Sequence, residues 1–230
     1  MMKEIEISNA IEKIFTAVFN CKNPFTLEEI YDKFAFDIKL PQKVTDTTTG
    51  EDTWASSINP TKFITNENSN KRENWMLEKK DISSLKELID IWQTINYRTT
   101  QRVFNCVNVS CSDAVYNSEN VYRSTDCNEC KNLILSDGCH HCEYTLASQR
   151  SGNCAFCIRV DDSSNCTNSY NVACSGNISN SMFIEDCGSL DECMFCAHIS
   201  NHKFCIANMQ FEEEEYYEIK KEIINWIMNS

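Results

Sequence analysis

Apolar residues recur at a spacing of three or four at both ends of the chain, a pattern typical of α-helices that bury one face. The N-terminal set is Ile7, Ile11, Ile14 and Val18, and the C-terminal set is Tyr216, Ile219, Ile223, Trp226 and Ile227. Pro24 ends the first pattern, and four acids from Glu212 to Glu215 precede the second, where they are favourable to a helix dipole. The pattern predicts one helix at each end.

Two capping boxes predict further helices before residue 101. Thr26 stands three residues before Glu29, and Ser84 stands three residues before Glu87. In a capping box each side chain bonds the backbone N–H of the other residue. The apolar residues that follow the boxes are Leu27, Ile30, Tyr31 and Phe34, and then Leu85, Leu88, Ile89 and Trp92. Between them, residues 41–80 are polar and irregular, which predicts a long loop held in place by Trp54 and Trp75.

A period of twelve residues fills the middle of the chain, about 102–210. We number each unit from Val107, so that the next unit begins at Glu119. Position twelve is then Cys106, Ser118, Cys130, Cys142, Cys154, Cys166 and Ile178, and it resumes after a three-residue insertion at Cys193 and Cys205. A short fixed period is typical of a solenoid, in which each unit is one coil stacked on the next.

Small side chains occupy positions three, six, nine and twelve of each unit. Twelve residues enclose little volume, so these positions are expected to point inward. The cysteines of this predicted structural interior are Cys106, Cys127, Cys130, Cys139, Cys142, Cys154, Cys166, Cys187 and Cys205. Positions two and eleven are rich in Asn, which tolerates left-handed backbone and suits the corners of a coil.

Position four carries larger apolar side chains: Tyr122, Ile134, Leu146, Ile158, Tyr170 and Met182. We expect this interaction stripe to lie outside a narrow coil, where it needs a cover. The cover is the N-terminal segment, the last helix or another chain. The alternative is a wider coil, with two units per turn, in which position four points inward.

These elements predict an α+β protein. Residues 1–101 form a mainly helical domain with the long polar loop 41–80, residues 102–210 form a narrow β-solenoid of twelve-residue coils, and residues 211–230 form a helix. Because a solenoid end is an open edge, we expect that C-terminal helix to cap it.

The chain has 230 residues and a net charge of −13. Phosphate contacts need Lys and Arg, so the acidity argues against direct binding of nucleic acid or of anionic lipid. No apolar run reaches the length of a membrane span. The first residues carry acids and do not resemble a signal peptide, which predicts a cytoplasmic protein with reduced thiols; a virion is the other location considered.

Two groups of side chains have spacings close to those of zinc sites. Cys127 and Cys130 with Cys139 and Cys142 form two C-x2-C pairs. The second group is Cys193, Cys196, His202 and Cys205. The repeat offers a competing explanation, since stacking alone brings such thiols together; packed thiols, disulfides and bound zinc all remain open. No cofactor is expected apart from this possible zinc. No phosphate loop, nucleophile elbow or paired-carboxylate motif is present, so no catalytic residue is assigned.

The segment from Met194 to Phe211 resembles the end of uncharacterised repeat proteins rich in Cys and Asn from metagenomic bacteria and phages. The shared features are the run Cys205-x-x-Asn208-x-Gln210-Phe211 and the acidic helix that follows. The resemblance covers about residues 102–230 and implies no established function. The coil is also similar in geometry to the twelve-residue β-helix of beetle antifreeze proteins. Their paired outer threonines are missing here, so ice binding is not implied.

These observations favour a non-enzymatic structural protein that presents a rigid acidic solenoid to a protein partner or to itself, as a phage virion component would. One alternative is an acidic DNA mimic, although the acids do not form regular ladders along the repeat. The other is a Cys/His metal-binding module or metal-dependent enzyme.

Overall fold

The structure, a computed structural model, describes residues 1–58, 62–72 and 74–229. The elements before the repeat are α1 (Glu4–Phe19), α2 (Leu27–Phe34), β1 (Gln42–Thr45), β2 (Asp52–Ala55), β3 (Phe63–Thr65), α3 (Asn66–Lys71), α4 (Leu85–Ile95) and β4 (Arg98–Thr100). The expected α+β class, with N-terminal helices, a central β-solenoid and a C-terminal helix, is confirmed.

The first capping box forms in full. The Glu29 N–H donates to Thr26 Oγ1 at 3.3 Å, and the Thr26 N–H donates to a Glu29 carboxylate oxygen at 2.7 Å. The second box forms only in part. The Glu87 N–H donates to Ser84 Oγ at 3.2 Å, but the Glu87 carboxylate accepts from the N–H of Ser83 rather than from that of Ser84.

The described part of residues 41–80, which omits 59–61 and 73, is more ordered than the predicted loop. β1 and β2 form an antiparallel hairpin, and β3 pairs in parallel with β4. The Asp46 carboxylate organises this part, because it accepts from the N–H groups of Thr48 and Thr65 and from the amide of Asn68, at 2.8 to 2.9 Å. Of the two tryptophans expected to hold the loop, Trp75 packs edge-on against Tyr97, with ring centroids 5.8 Å apart.

From residue 103 the chain forms about nine short coils. The strands are β5 (Val103–Phe104), β6 (Val107–Ser110), β7 (Asp113–Tyr116), β8 (Glu119–Tyr122), β9 (Thr125–Asn128), β10 (Lys131–Ile134), β11 (Glu143–Leu146), β12 (Ala155–Asp161), β13 (Ser164–Thr167), β14 (Tyr170–Ala173), β15 (Gly176–Ser179), β16 (Met182–Glu185), β17 (Gly188–Asp191), β18 (Met194–Ala197), β19 (Ser200–Lys203), β20 (Cys205–Ile206) and β21 (Met209–Gln210). Strands of adjacent coils pair in parallel, and a short antiparallel β20–β21 hairpin ends the repeat. The last element, α5 (Glu213–Asn229), follows it.

The twelve-residue register is continuous, and the predicted three-residue insertion is wrong. Met182 pairs with Met194, and Leu190 pairs with His202, each twelve residues apart. Position twelve therefore continues from Ile178 through Leu190 to His202. Cys193 and Cys205 belong to position three.

Every third residue from Asn105 to Ala207 has left-handed backbone, with φ between 45° and 63°. These residues fall at positions two, five, eight and eleven, so the chain turns four times in each coil. A left-handed residue costs about 1–2 kcal/mol unless it is Gly, and Asn is among the best tolerated. Asn also bonds along its own column, since Asn108 donates to Asn120 at 2.8 Å and Asn120 donates to Asn132 at 3.0 Å. The predicted role of Asn at the corners is confirmed.

The inward residues have a hydrogen-bonding role as well as a small size. The N–H of Ser136 donates to Ser124 Oγ one coil earlier at 3.0 Å, and the N–H of Ser148 donates to Ser136 Oγ at 3.2 Å. The hydroxyl of Ser136 in turn donates to the carbonyl of Ile134 at 3.0 Å. Cysteine can replace serine in this scheme, since the Ser118 N–H donates to Cys106 Sγ at 3.3 Å. Inward Ser and Cys therefore satisfy backbone N–H groups that would otherwise be buried without acceptors.

Candidate functional site

The predicted interior cysteines lie inside the coil, in one apolar cluster with Val, Leu and Ile; Cys106, in the first coil, is only partly buried. Cys127 and Cys130 are 0% exposed, and each thiol donates to a backbone carbonyl, that of Thr125 at 3.0 Å and that of Cys139 at 3.1 Å. Burial raises the pKa of the Cys127 thiol well above its ordinary value. A buried thiol with a raised pKa is a poor nucleophile.

The histidines are separated from these thiols. His140, His141, His198 and His202 are all exposed. His141 Nδ1 lies 3.0 Å from a carboxylate oxygen of Glu129, and His198 lies 3.6 Å from Asp186. In the part of the chain that the structure describes, no three His, Cys, Asp or Glu side chains are grouped as metal ligands. Neither predicted zinc group is therefore assembled as a ligand set.

The interaction stripe at position four lies outside the coil, in an apolar cluster separate from that of the interior, as expected for a narrow solenoid. The chain's own helices cover it. Phe19 of α1 and Phe34 of α2 pack on Tyr170, with ring centroids 5.3 and 5.9 Å away. Ile134, Leu146, Ile158 and Met182 are 0% exposed, whereas Tyr122 is half-buried. The N-terminal segment and the last helix, two of the three covers considered above, therefore bury the stripe, and it is not a free docking surface.

α5 covers the side of the last coils. Its Tyr216 packs on Phe204 with ring centroids 5.5 Å apart, and its Trp226 lies 6.1 Å from Phe183, almost two coils earlier. The Lys220 ammonium donates to a Glu192 carboxylate oxygen at 2.7 Å. The helix therefore runs back along the solenoid, while the β20–β21 hairpin stands at the C-terminal end where we expected the helix to act as a cap.

Acidic residues form a column that the sequence analysis missed. Position seven is acidic at every second coil, in Asp113, Asp137, Asp161 and Glu185. Basic residues neutralise part of this column. Arg102 forms a two-pronged pair with Asp113, with nitrogen–oxygen distances of 2.9 and 3.1 Å, and Arg150 lies against Asp161. This pairing interrupts the continuous negative charge that a DNA mimic would need.

An uncovered apolar surface lies on α4. This helix has no buried residue. Leu85 is 72% exposed, Trp92 55%, Leu88 46% and Ile89 45%, and we refer to these four side chains as the α4 face. Met76, Leu77 and Ile82, just before the helix, are also exposed. The apolar spacing predicted the helix, but it did not show that this face lies uncovered.

A second candidate is a cleft of about 490 Å³ between the end of α1 and one side of α5. Val18, Ile224 and Met228 give it apolar walls, and the side chains of Asn168 and Asn180 on the solenoid line it as well. This volume is within the range of small-molecule sites.

Comparisons with protein-family models, with curated proteins and with solved structures find no match to this chain. They therefore give no support to the resemblance to Cys- and Asn-rich repeat proteins. Among the described residues, none of the helices combines the length and the apolar character that a membrane crossing requires.

Proposed function

We propose that this chain is a non-enzymatic structural protein, a rigid solenoid that assembles through the α4 face with a second copy of itself. The single observation that carries the proposal is the exposure of Leu85, Leu88, Ile89 and Trp92 on one helix. Exposed apolar patches of this kind are typical of protein interaction sites. The helices α1, α2 and α5 bury their apolar faces on the stripe, but no described residue covers the α4 face.

The order of residues on α4 suits a copy of the same helix. In an antiparallel pair centred between Leu88 and Ile89, these two residues oppose each other across the interface. Leu85 then opposes the partner's Trp92, and the reverse contact follows from the twofold axis. A twofold interface is self-complementary in this way, because each contact occurs twice.

The exposed charges of α4 do not obstruct this arrangement. Lys86 and Asp90 are exposed and lie one turn apart. At about 100° of rotation per residue, Asp90 lies on the side of the helix opposite the α4 face, so no carboxylate of this pair enters the interface. The symmetric order of the four apolar residues is therefore what favours a second copy over an unrelated helix.

Sedimentation velocity tests the assembly. We expect a mass about twice the 26.5 kDa of the chain at micromolar concentration. Trp92→Ser is expected to weaken the dimer at least tenfold, since buried Trp residues dominate interface energies. Trp226→Ser is the matched control, because Trp226 is 56% exposed, close to the 55% of Trp92, but lies on α5. A monomeric wild type, or equal effects of the two variants, would refute assembly through α4.

An exchange at the centre of the interface tests the pairing itself. Leu88→Lys and Ile89→Glu, each alone, place an unpaired charge against an apolar side chain and should weaken the dimer at least tenfold. A mixture of the two variants should recover dimers, because the new lysine of one chain opposes the new glutamate of the other. If the mixture is no better than either variant, the antiparallel arrangement is wrong.

Location in a virion is also part of the proposal. It depends on the resemblance of the segment from Cys205 to Phe211 and on no contact in the structure.

A further inference from the structure

The cleft between α1 and α5 has no part in assembly through α4, because no residue of α4 lines it. We infer that this cleft binds a small amphipathic anion, with an apolar body and one carboxylate, sulfonate or phosphate group. The inference depends on three properties of the cleft: its apolar walls, its fixed shape and the hydrogen-bond donors on its α5 side.

The walls suit an apolar body. Val18 from α1 lines the cleft together with Ile224 and Met228 from α5. Met adapts its shape to irregular ligands because its side chain is unbranched and flexible. A volume of about 490 Å³ accommodates a molecule the size of a medium-chain acid or a two-ring aromatic.

The cleft is held open by contacts between α5 and the solenoid. The Lys220 ammonium donates to Glu192 at 2.7 Å and to the backbone carbonyl of Asn180 at 3.2 Å. The Lys220 and Glu192 side chains are only 15% and 13% exposed. Since these contacts fix α5 without any ligand, binding requires little rearrangement.

The donors on α5 suit a single anionic group. Lys221 and Asn225 both line the cleft and lie one turn apart on α5. The Asn225 Oδ1 accepts from Asn229 at 2.9 Å, which leaves the Asn225 amide nitrogen to donate. Lys220 is occupied by Glu192, so Lys221 is the cation available to a ligand. The net charge of −13 disfavours a polyanion, which is why we assign one anionic group.

Calorimetric titration with sodium dodecanoate tests the inference. We expect saturable binding of one molecule per chain. Ala17→Trp, which fills the cleft, should abolish it, and Lys221→Glu should weaken it at least tenfold. Thr16→Trp is the matched control, because Thr16 is the exposed neighbour of Ala17 on α1 and does not line the cleft; it should bind like the wild type. Bound dodecanoate should also slow alkylation of Cys21, a half-buried thiol in the lining.

Several results would overturn the inference. Absence of saturable binding to the wild type, or wild-type affinity in Ala17→Trp, would show that the cleft is not the site. Equal affinity for dodecanol and dodecanoate would show that no anionic group is recognised. Loss of binding in Trp92→Ser would place the ligand on the α4 face instead. Because dodecanoate binding and dimer mass are measured separately, failure of this inference is distinguishable from failure of assembly through α4.

Discussion

Replacement of one buried serine hydroxyl tests the hydrogen-bonding scheme inside the coil. Ser136 is 0% exposed, and its Oγ accepts the N–H of Ser148 at 3.2 Å. Ser136→Ala removes a single oxygen atom and removes no apolar atom of the side chain. If the interior were selected for size alone, this variant would be neutral or slightly stabilising. The hydrogen-bonding scheme predicts destabilisation, because the Ser148 N–H remains buried without its acceptor.

The expected loss of stability is that of one buried backbone N–H left without an acceptor. The Ile134 carbonyl, which loses the Ser136 hydroxyl, still accepts from the N–H of Ala147 at 3.0 Å. Only the Ser148 N–H therefore loses its partner, and an unsatisfied buried group costs about 1–3 kcal/mol. For a chain of this size, such a loss lowers Tm by roughly 2–12 °C.

Thermal and urea unfolding of Ser136→Ala and Ser136→Cys give the measurement. The Cys variant is the control, because a thiol already plays this role elsewhere in the solenoid. The thiol of Cys106, an inward residue at position twelve, accepts the N–H of Ser118. We expect the Cys variant to retain most of the wild-type stability. Wild-type stability in the Ala variant would refute the scheme, and equal losses in both variants would show that packing, not hydrogen bonding, sets the identity of this position.

Four further outcomes follow from burial, backbone and charge. Ile158→Ala should lower the free energy of unfolding by about 2–5 kcal/mol, measured by urea unfolding, because the side chain is 0% exposed beneath the helices; a loss below about 1 kcal/mol would contradict this cover. Of fifteen thiols, the four not buried, Cys174 among them, should react quickly with Ellman's reagent in the native state and all fifteen after unfolding; fewer than fifteen would indicate disulfides. Asn120→Val should lower Tm more than Asn120→Gly, because Asn120 has a φ of 55°; the reverse order would count against a left-handed corner. Burial raises the pKa of Asp113, but hydrogen bonds from Arg102 and Ser56 outweigh it and hold the pKa below its ordinary value; its contribution to stability should therefore be complete above about pH 4 and be lost as the pH drops through the folded pKa. Asp113→Asn should show a smaller loss of stability in acid than the wild type but not none, because Asp46 also has a lowered pKa.

The sequence predicted the solenoid well because twelve-residue spacing leaves few alternatives. It misplaced the last coils for a physical reason. The inward positions recur every third residue, so a shift of three residues moves each inward residue onto another inward position. Cys193 therefore fitted position twelve as well as it fits position three. The strand pairings of Met182 with Met194 and of Leu190 with His202 distinguish the two registers.

The candidate surfaces were harder to predict. Three helices, α1, α4 and α5, have apolar faces of similar spacing, and nothing in that spacing indicates which of them meets the stripe. The structure shows that Phe19 and Tyr216 are buried with the stripe, whereas Trp92 is not. The interaction stripe was therefore placed on the correct side of the coil, but the sequence could not choose among its possible covers, of which the N-terminal segment and the last helix are the ones that bury it.

The energetics of the coil support our proposal that assembly uses a helix rather than the solenoid. Left-handed residues at every third position each cost about 1–2 kcal/mol where they are not Gly. Parallel strand pairs and inward hydrogen bonds to Ser and Cys offset this cost, but both exist only between stacked coils. A coil of this kind therefore needs stacked neighbours for its stability. The lateral apolar stripe of the stack is already buried by α1, α2 and α5. The α4 face contributes neither to the stack nor to its cover. Its exposed apolar side chains therefore still need an explanation, and the partner proposed above provides one.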